Sequence, residues 1–570
     1  MKNPEVADLL YEIADYLEIK GVDWKPRAYR RAAGAVETLS EDIEQVAERG
    51  ELKDIPGVGE SIASKIAEYL ETGHLEYLEN LRQEMPGKLR KLMDIEGIGP
   101  KTAVKLHREL EICNIDDLQR AAEEGKIREL EGFGKKTEEN ILENVQMYRS
   151  HRERFLLGYM LPTAQKIVDE LGKLDVVKRI ELAGSIRRRK GTIGDADILV
   201  ISEDPDEVMD SFVQMGEVDR ILSKGDRKST IVLGNGLQVD LLVIDEKNFG
   251  AALMYFTGSK EHNVELRKRA IEHNWKLSEY GLEERDTGEV IAQATEEDIY
   301  DKLNLQYIPP ELRTNRGEIE AAAQNNLPNL VDWEDIRGDL HVHSNWSEGS
   351  HSIEEMVQKA REIGHEYIAI CDHTQSLPIA QGLTDEEFQE REEEITEVNE
   401  RFDDIEVLSG AEVDILPDGS LDLENDTLND LDITVAAVHS SFKQDEDTMT
   451  ERVLSAMKHE HVDILGHPTG RLVQERDPYA IDLTRIFEGA EKHGTKLEVN
   501  CFPSRLDLRD SDILKARKYD VQFSLGSDAH SIDHLRYLEL GLSNARRGWL
   551  EKNQIINTQS LSELRNVLGS

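Results

Sequence analysis

The sequence predicts a multidomain α/β protein. An all-α region of short helices joined by glycine hairpins comes first, then an α+β domain, then a β/α barrel. Three observations predict this. A glycine turn recurs three times before about residue 145, and β-rich runs bounded by turn residues start near 150. From about 336, short strands alternate with helices to the end. The 570 residues allow roughly three to five domains at ~100–200 residues each. A hydrophobic content of 38% is enough for packed cores.

The repeated turns are Ile55-Pro56-Gly57-Val58-Gly59, Ile95-Glu96-Gly97-Ile98-Gly99 and Leu130-Glu131-Gly132-Phe133-Gly134, each followed by a helical pattern such as SIASKIAEYL. Glycine supplies the positive φ of a tight turn, and the next helix presents unpaired N–H groups to a phosphate. Such contacts hold a nucleic-acid backbone without reading its bases. An ordinary helix–helix turn explains one copy, but three copies favour DNA contact through Gly57, Gly59, Gly97, Gly99, Gly132 and Gly134.

Residues 150–255 form the α+β domain, with RIELAGSIRR, GDADILVIS, STIVLGNG and LQVDLLVID as its β-rich runs. A smaller mixed segment covers 256–313, and the polar, Asn- and Pro-containing stretch 314–336 reads as a linker. In the barrel the strands are YIAICDH, IEVLSGAEVD, ITVAAVHS, VDILGHP, KLEVNC and VQFSLGSDAH, so chemistry is expected at their C-terminal ends.

The net charge is −47, unusual for a chain that would meet phosphates. A surface adapted to a salt-rich cytoplasm, with binding confined to local basic or backbone-amide patches, accommodates both. No apolar run approaches the ~20 residues of a membrane span, and the acidic amphipathic start is not a signal peptide. Three cysteines without framework spacing fit a reducing cytosol, so a cytoplasmic monomer with no membrane contact is expected.

Two ligand sets carry the chemistry. In the first, Asp195 and Asp197 lie two apart on a strand and share a face, and Asp240 on another strand completes it. Carboxylates without histidine suit Mg²⁺ or Mn²⁺. Two such ions ~3.5–4 Å apart hold the attacking and leaving oxygens of a phosphoryl displacement. Upstream, Gly184, Ser185 and Arg188 offer close backbone approach, a hydroxyl and a guanidinium to a triphosphate.

These motifs resemble the nucleotidyltransferase palm of family-X DNA polymerases, and residues 1–313 follow the beta-type members in order. The resemblance implies a helical 8-kDa-like domain at 1–85, a fingers-like helix–hairpin–helix domain at 86–150, a palm at 151–255 and a thumb at 256–313. It implies catalytic Asp195, Asp197 and Asp240, with Asp240 accepting the primer 3′-OH proton, and nucleotide contacts at Gly184, Ser185, Arg188 and Gly194. Tyr255-Phe256-Thr257-Gly258-Ser259 is similar to the family's sugar-sensing motif, Asn263 and Arg267 to its minor-groove contacts, and Lys224 and Lys228 to its template contacts. Gln238 departs from the family's arginine. Lys65 stands where the family places a Schiff-base lysine, which implies 5′-deoxyribose-phosphate lyase chemistry; the alternative is a helix-surface charge that touches phosphate. Ser61 replaces a phosphate-binding lysine, and Asp54 adds an acid nearby.

The second set opens with His341 and His343, alternating on one strand face, and continues at later strand ends with His373, Glu412, His439, His467, Asp528 and His530. Imidazoles and carboxylates together suit two or three ions of Mn²⁺, Zn²⁺ or Fe type that activate a water against phosphorus. The order resembles the PHP domain, a distorted (β/α)7 barrel with a trinuclear site, spanning 337–570. That family often has Asp where this chain has Glu348. Bacterial and archaeal family-X polymerases with a C-terminal PHP domain have this arrangement. The resemblance implies gap filling in DNA repair on gapped or primer–template DNA with dNTPs. It also implies metal-dependent 3′→5′ exonuclease and 3′-end processing, with abasic-site cleavage or 3′-phosphate removal as further activities. Two alternatives remain: a nuclease or phosphatase whose palm only binds DNA, and a polymerase with a purely structural barrel.

Overall fold

The computed structural model describes residues 2–19, 25–37, 43–53, 55–72, 75, 77–78, 81, 92, 95, 98, 100–110, 112–130, 132–152, 154–377 and 380–568. The chain divides into two compact units, 1–153 and 154–570.

The first unit is helical. Helices Asn3–Ile19 and Lys25–Glu37 pack on each other, and their apolar faces (Leu10, Ile13, Tyr29, Val36) meet Ile62 and Ile66 of the helix Glu60–Thr72. A second core gathers Ala103 and Leu106 of Pro100–Leu110 with Leu118 of Ile115–Glu123 and Ile141 of Lys135–Arg152. The three glycine turns share one hydrogen bond: Val58, Ile98 and Phe133 donate their N–H to Ile55, Ile95 and Leu130, each at 3.0 Å. Gly57 and Gly132 take φ of 86° and 85°, which glycine alone adopts freely. Gly97, Gly99 and Asp54 lie outside the described residues.

In the second unit, strands are numbered in chain order. A short pair, β1 (Phe155–Leu156) and β3 (Thr192–Ile193), borders the main sheet. That sheet comprises β2 (Val177–Leu182), β4 (Asp195–Ser202), β5 (Val218–Lys224), β6 (Lys228–Leu233) and β7 (Gln238–Val243), in the order β2-β4-β7-β6-β5. Only β4 and β7 run parallel. Strand β5 is an exposed edge that the sequence pattern did not reveal, because VDRILSK buries almost nothing. A three-stranded antiparallel sheet follows: β8 (Trp275–Ser278), β9 (Gly281–Glu284) and β10 (Val290–Ala292).

Seven parallel strands then form the barrel in sequence order: β11 (Gly338–Val342), β12 (Tyr367–Ile370), β13 (Glu406–Asp414), β14 (Ile433–Ala437), β15 (Ile464–Leu465), β16 (Lys496–Asn500) and β17 (Phe523–Gly526). A parallel bridge from Val342 to Ala529 links the last strand back to the first. All seven are buried along their lengths except the first residue of β13, as parallel strands covered on both faces require.

Two contacts correct the expected linker at 314–336. Helix Glu318–Ala323 buries Ile319 and Ala322 in the core of the 251–312 segment, and Val331 enters the barrel core while its N–H bonds Leu550 O at 3.2 Å. The five-stranded sheet also shares its core with the barrel: Leu506, Tyr537 and Leu540 pack among Leu157, Ile193 and Val239. The stretch is a packed joint. Its polar residues mask an apolar pattern too short to read as a helix.

Candidate metal centres

The first centre lies on the five-stranded sheet. Across the parallel pair β4–β7, Asp197 stands directly opposite Asp240, and Asp195 is exposed at the start of β4. The turn Gly184–Arg187 lies against them: Gly184 has φ of 60°, and a Cβ there would fall 2.3 Å from Asp197 Oδ2. No side chain fits that approach. Burial, then Asp195 and Asp240, push the Asp197 carboxyl up to about 7. Three converging carboxylates with hard oxygens and this repulsion fit divalent cations. Gln238 Nε2 donates to Asp240 Oδ1 at 3.2 Å, and Lys228 Nζ lies 2.9 Å from Asp240 Oδ2. Lys228, expected on a template strand, is therefore turned onto the carboxylate face. Lys224 is ion-paired with Asp210.

A cavity of about 520 Å³ opens beside these groups. It is lined by Gly184, Ser185, Arg188, Gly194, Asp195, Asp197, Tyr255, Phe256, Gly258, Asn263 and Arg267, all named from sequence, and by Arg154 and Lys260, which were missed. Lys260 directly follows the 255–259 motif, a signal that was available. Arg154 is tethered to Thr192 Oγ1 at 2.9 Å, and no pattern announces it. Tyr255 and Phe256 pack edge to face with centroids 5.3 Å apart. Asn263 Nδ2 donates to Tyr255 O at 2.8 Å, and Arg188 donates to Thr257 O. Below them Arg187 binds Glu296 in a fork at 3.0 and 2.7 Å.

The second centre fills the barrel mouth. Glu412 on β13 is 2% exposed and meets five imidazoles. Its Oε2 lies 3.3, 3.5 and 3.2 Å from His341 Nε2, His343 Nε2 and His373 Nδ1. Its Oε1 lies 3.2 and 2.8 Å from His439 Nε2 and His467 Nε2. Burial alone would raise this carboxyl, but His373, His341 and His439 hold it well below the usual range. Asp528 Oδ1 is 3.2 Å from His343 Nε2. Glu348 Oε1 joins His373 Nε2 at 3.0 Å and His530 Nε2 at 2.7 Å, which brings this position, where the family often has Asp, into the cluster.

Three sets have ligand atoms within 4.8 Å of one another: His343, His373 and His530; His341, His343 and Asp528; and His373, Glu412 and His439. Both ring nitrogens of His343 and His439, with His341 Nε2 and His467 Nδ1, are buried without a hydrogen-bond partner. Orphaned ring nitrogens around one carboxylate fit resident divalent metals of the borderline class.

Residues outside the predicted set hold this cluster in place. Glu498 on β16 meets His341 Nδ1 at 2.6 Å and accepts the His467 N–H at 2.6 Å. Asp372 accepts from Ser344 N (2.8 Å), Ser347 Oγ (2.7 Å) and Arg391 Nη1 (3.1 Å), and so shapes the loop that carries Glu348. Arg505 Nε lies 3.1 Å from Asp528 Oδ2. A charged residue inside KLEVNC was the readable signal for Glu498, since a buried strand carries a carboxylate only with partners.

In the helical unit, Lys65 is half-buried. It donates to Ser61 O and Oγ at 3.1 and 3.0 Å and lies 4.6 Å from the Tyr77 ring centroid. Burial, then Lys25, lower its amine. Gly59 and Gly134 accept from the first turns of the helices they precede.

Family models match in chain order: a helix-hairpin-helix domain at 1–75, a SAM-like helix-hairpin-helix tandem at 89–146, the DNA polymerase beta thumb at 252–314 and a PHP domain at 339–501. The chain is 37% identical over 571 residues to the DNA polymerase/3'-5' exonuclease PolX of Bacillus subtilis, covering all of this chain and 99% of that one. It is 25% identical over 339 residues to DNA polymerase lambda of Rattus norvegicus, covering 55% of this chain and 56% of that one. A probable phosphatase of Thermoanaerobacter sp. is 28% identical over 232 residues, covering 38% of this chain and 90% of that one. The chain belongs to the family-X DNA polymerases that carry a C-terminal PHP domain.

Proposed function

We propose that the chain fills short gaps in DNA from dNTPs with its five-stranded palm and trims 3′ ends as a metal-dependent 3′→5′ exonuclease with its barrel. The main support is the register that sets Asp240 opposite Asp197, which with Asp195 lines a cavity carrying Ser185 and Arg188. Divalent ions, Mg²⁺ or Mn²⁺, would be held by Asp195, Asp197 and Asp240 and would supply charge neutralisation at the transferring phosphoryl group. Ser185 and Arg188 grip the triphosphate, Tyr255 and Phe256 wall the sugar, and Asp240 takes the proton of the primer 3′-hydroxyl. A 3′-O–P bond forms, the bond to the β-phosphate breaks, and pyrophosphate leaves. Lys224 and the glycine turns hold DNA backbone; Asn263 and Arg267 hold the primer terminus.

In the barrel, His341, His343, Glu348, His373, Glu412, His439, His467, Asp528 and His530 would hold two or three Mn²⁺, Zn²⁺ or Fe ions, which supply an activated water for phosphodiester hydrolysis. Primer extension on a one-nucleotide gap is expected to vanish in Asp195→Ala while 3′ resection persists. His341→Ala with Asp528→Ala is expected to do the reverse. Joint loss in either variant would refute separate sites.

A second reading concerns Lys65, whose amine is lowered by burial and by Lys25 beside the Tyr77 ring. A lowered amine is the chemistry of a lyase nucleophile that condenses with an abasic-site aldehyde and releases water. Borohydride is expected to trap the wild-type adduct but not Lys65→Ala; equal trapping in both removes this reading.

A further inference from the structure

The nucleotide turn of the palm is held from outside the palm. Its last carbonyl, Arg188 O, accepts a hydrogen bond from Arg547 Nη1 at 2.9 Å. Arg547 ends the helix Leu538–Arg547, which belongs to the barrel: Leu538, Leu542 and Ala545 lie in the barrel core. Gly541 of that helix sits so close to Cys501 that a Cβ would fall 1.9 Å from its sulfur. The second arm of Arg547 donates to Asp510 Oδ2 at 2.5 Å, and Asp510 is also ion-paired with Arg316 at 3.2 Å. Arg547 is 4% exposed, so this fork is buried and fixed.

The turn needs such a hold. Residue 189, the next in the chain, is an arginine with φ of 52°, a conformation that costs a non-glycine residue energy unless its surroundings impose it. The inner carbonyls of Gly184, Ser185 and Ile186 are taken by the N–H groups of Arg188, Lys190 and Arg189. The Arg188 carbonyl is thus fastened by the barrel, while its guanidinium faces the cavity beside Gly258.

We infer that Arg547, a residue of the barrel, is a positioning residue for nucleotidyl transfer in the palm. It fixes the Arg188 carbonyl and thereby the Ser185 hydroxyl and Arg188 guanidinium that grip the triphosphate. The inference rests on the polymerase reading above. It makes one half of the chain a structural requirement of the other's substrate affinity.

In this reading Ser185 and Arg188 already hold the triphosphate in the ground state, before the bond to the β-phosphate breaks, so misplacing them chiefly weakens nucleotide binding. That loss falls on KM rather than kcat. In the full chain, Arg547→Met retains the buried stem and removes both donors. The expected result is a dNTP KM roughly tenfold higher, with kcat within about threefold and 3′ resection within about twofold of wild type. Equilibrium binding of dNTP to a dideoxy-terminated primer complex in Ca²⁺ is expected to weaken by the same factor. Arg547→Lys, which keeps one donor, should fall between. Asp510→Asn, which loosens the fork without touching Arg547, should shift KM in the same direction.

An unchanged KM in an active Arg547→Met chain overturns the inference. So does an equal fall of extension and resection with a lowered Tm, which would make Arg547 a general support of the fold. Failure of the wild-type chain to extend a primer would instead remove the polymerase reading itself.

Discussion

Glu498 Oε1 lies 2.6 Å from His341 Nδ1, and the Nε2 of the same ring faces Glu412 at 3.3 Å. A carboxylate on one ring nitrogen fixes the tautomer and leaves the other as a lone-pair donor to metal. Glu498 also anchors His467 through its backbone N–H. Glu498→Gln is therefore expected to lower metal affinity and 3′ resection by ~10–100-fold, with gap filling unchanged. Metal content after dialysis, measured beside both activities, checks this; full metal occupancy in the variant refutes it.

The metal-free palm is expected to lose stability as pH rises. Asp197 titrates near 7 in the fold, against a reference value of 3.8. Between those values the native state binds the proton more tightly than the unfolded chain, so stability falls with rising pH across this window. Asp197→Asn removes the liability. In EDTA its Tm is expected to exceed that of wild type at pH 8, by less at pH 5, and to converge with it only below about pH 4. Wild type with Mg²⁺ is expected to recover the difference. A variant less stable than wild type at pH 8 would contradict the crowding of carboxylates described above.

The cavity floor depends on Glu296, which bridges Arg187 at 2.7 Å and the fully buried Arg313 at 2.5 Å. Removing the shared acid strands the buried Arg313 and the partly buried Arg187, at a cost of ~3–5 kcal/mol. It also frees Arg187, which otherwise bonds Thr257 Oγ1 at 2.7 Å under the sugar wall. Glu296→Ala is expected to lower Tm in a urea or thermal melt and to raise the dNTP KM. Glu296→Gln, which keeps hydrogen-bonding capacity, should be milder.

The 116 acidic residues against 69 basic ones repel one another across the surface. Salt at ~1 M shortens the Debye length to ~3 Å and removes most of that repulsion. Tm is expected to rise between 0.1 and 2 M KCl, and gap filling to survive molar KCl. Loss of extension at modest salt would show that DNA is held chiefly by exposed ion pairs.

The legible parts of this chain were those where one residue type is forced by position. Paired aspartates on a strand, H-x-H on a strand face and glycine-rich turns each announce local geometry. The barrel strands were readable because burial on both faces makes them continuous apolar runs. Arg154 and Arg505 were not readable, because each serves through a partner distant in sequence; the buried charge in KLEVNC marked Glu498, but not its partner His341, which lies 157 residues away. The stretch 314–336 misled for the opposite reason: its six-residue helix Glu318–Ala323 buries Ile319 and Ala322 within a polar composition. Among the described residues, no helix is long and apolar enough to cross a membrane.

The packed joint and the shared core at Leu506 and Leu540 set the two chemistries in a fixed mutual frame. A swing of the palm against the barrel is therefore not the means of carrying a primer end from one to the other. That end must be let go, or slid, by the DNA itself. Extension and trimming then compete as a kinetic partition at each terminus, and a mismatched end that resists nucleotide addition gains time to fray toward the barrel.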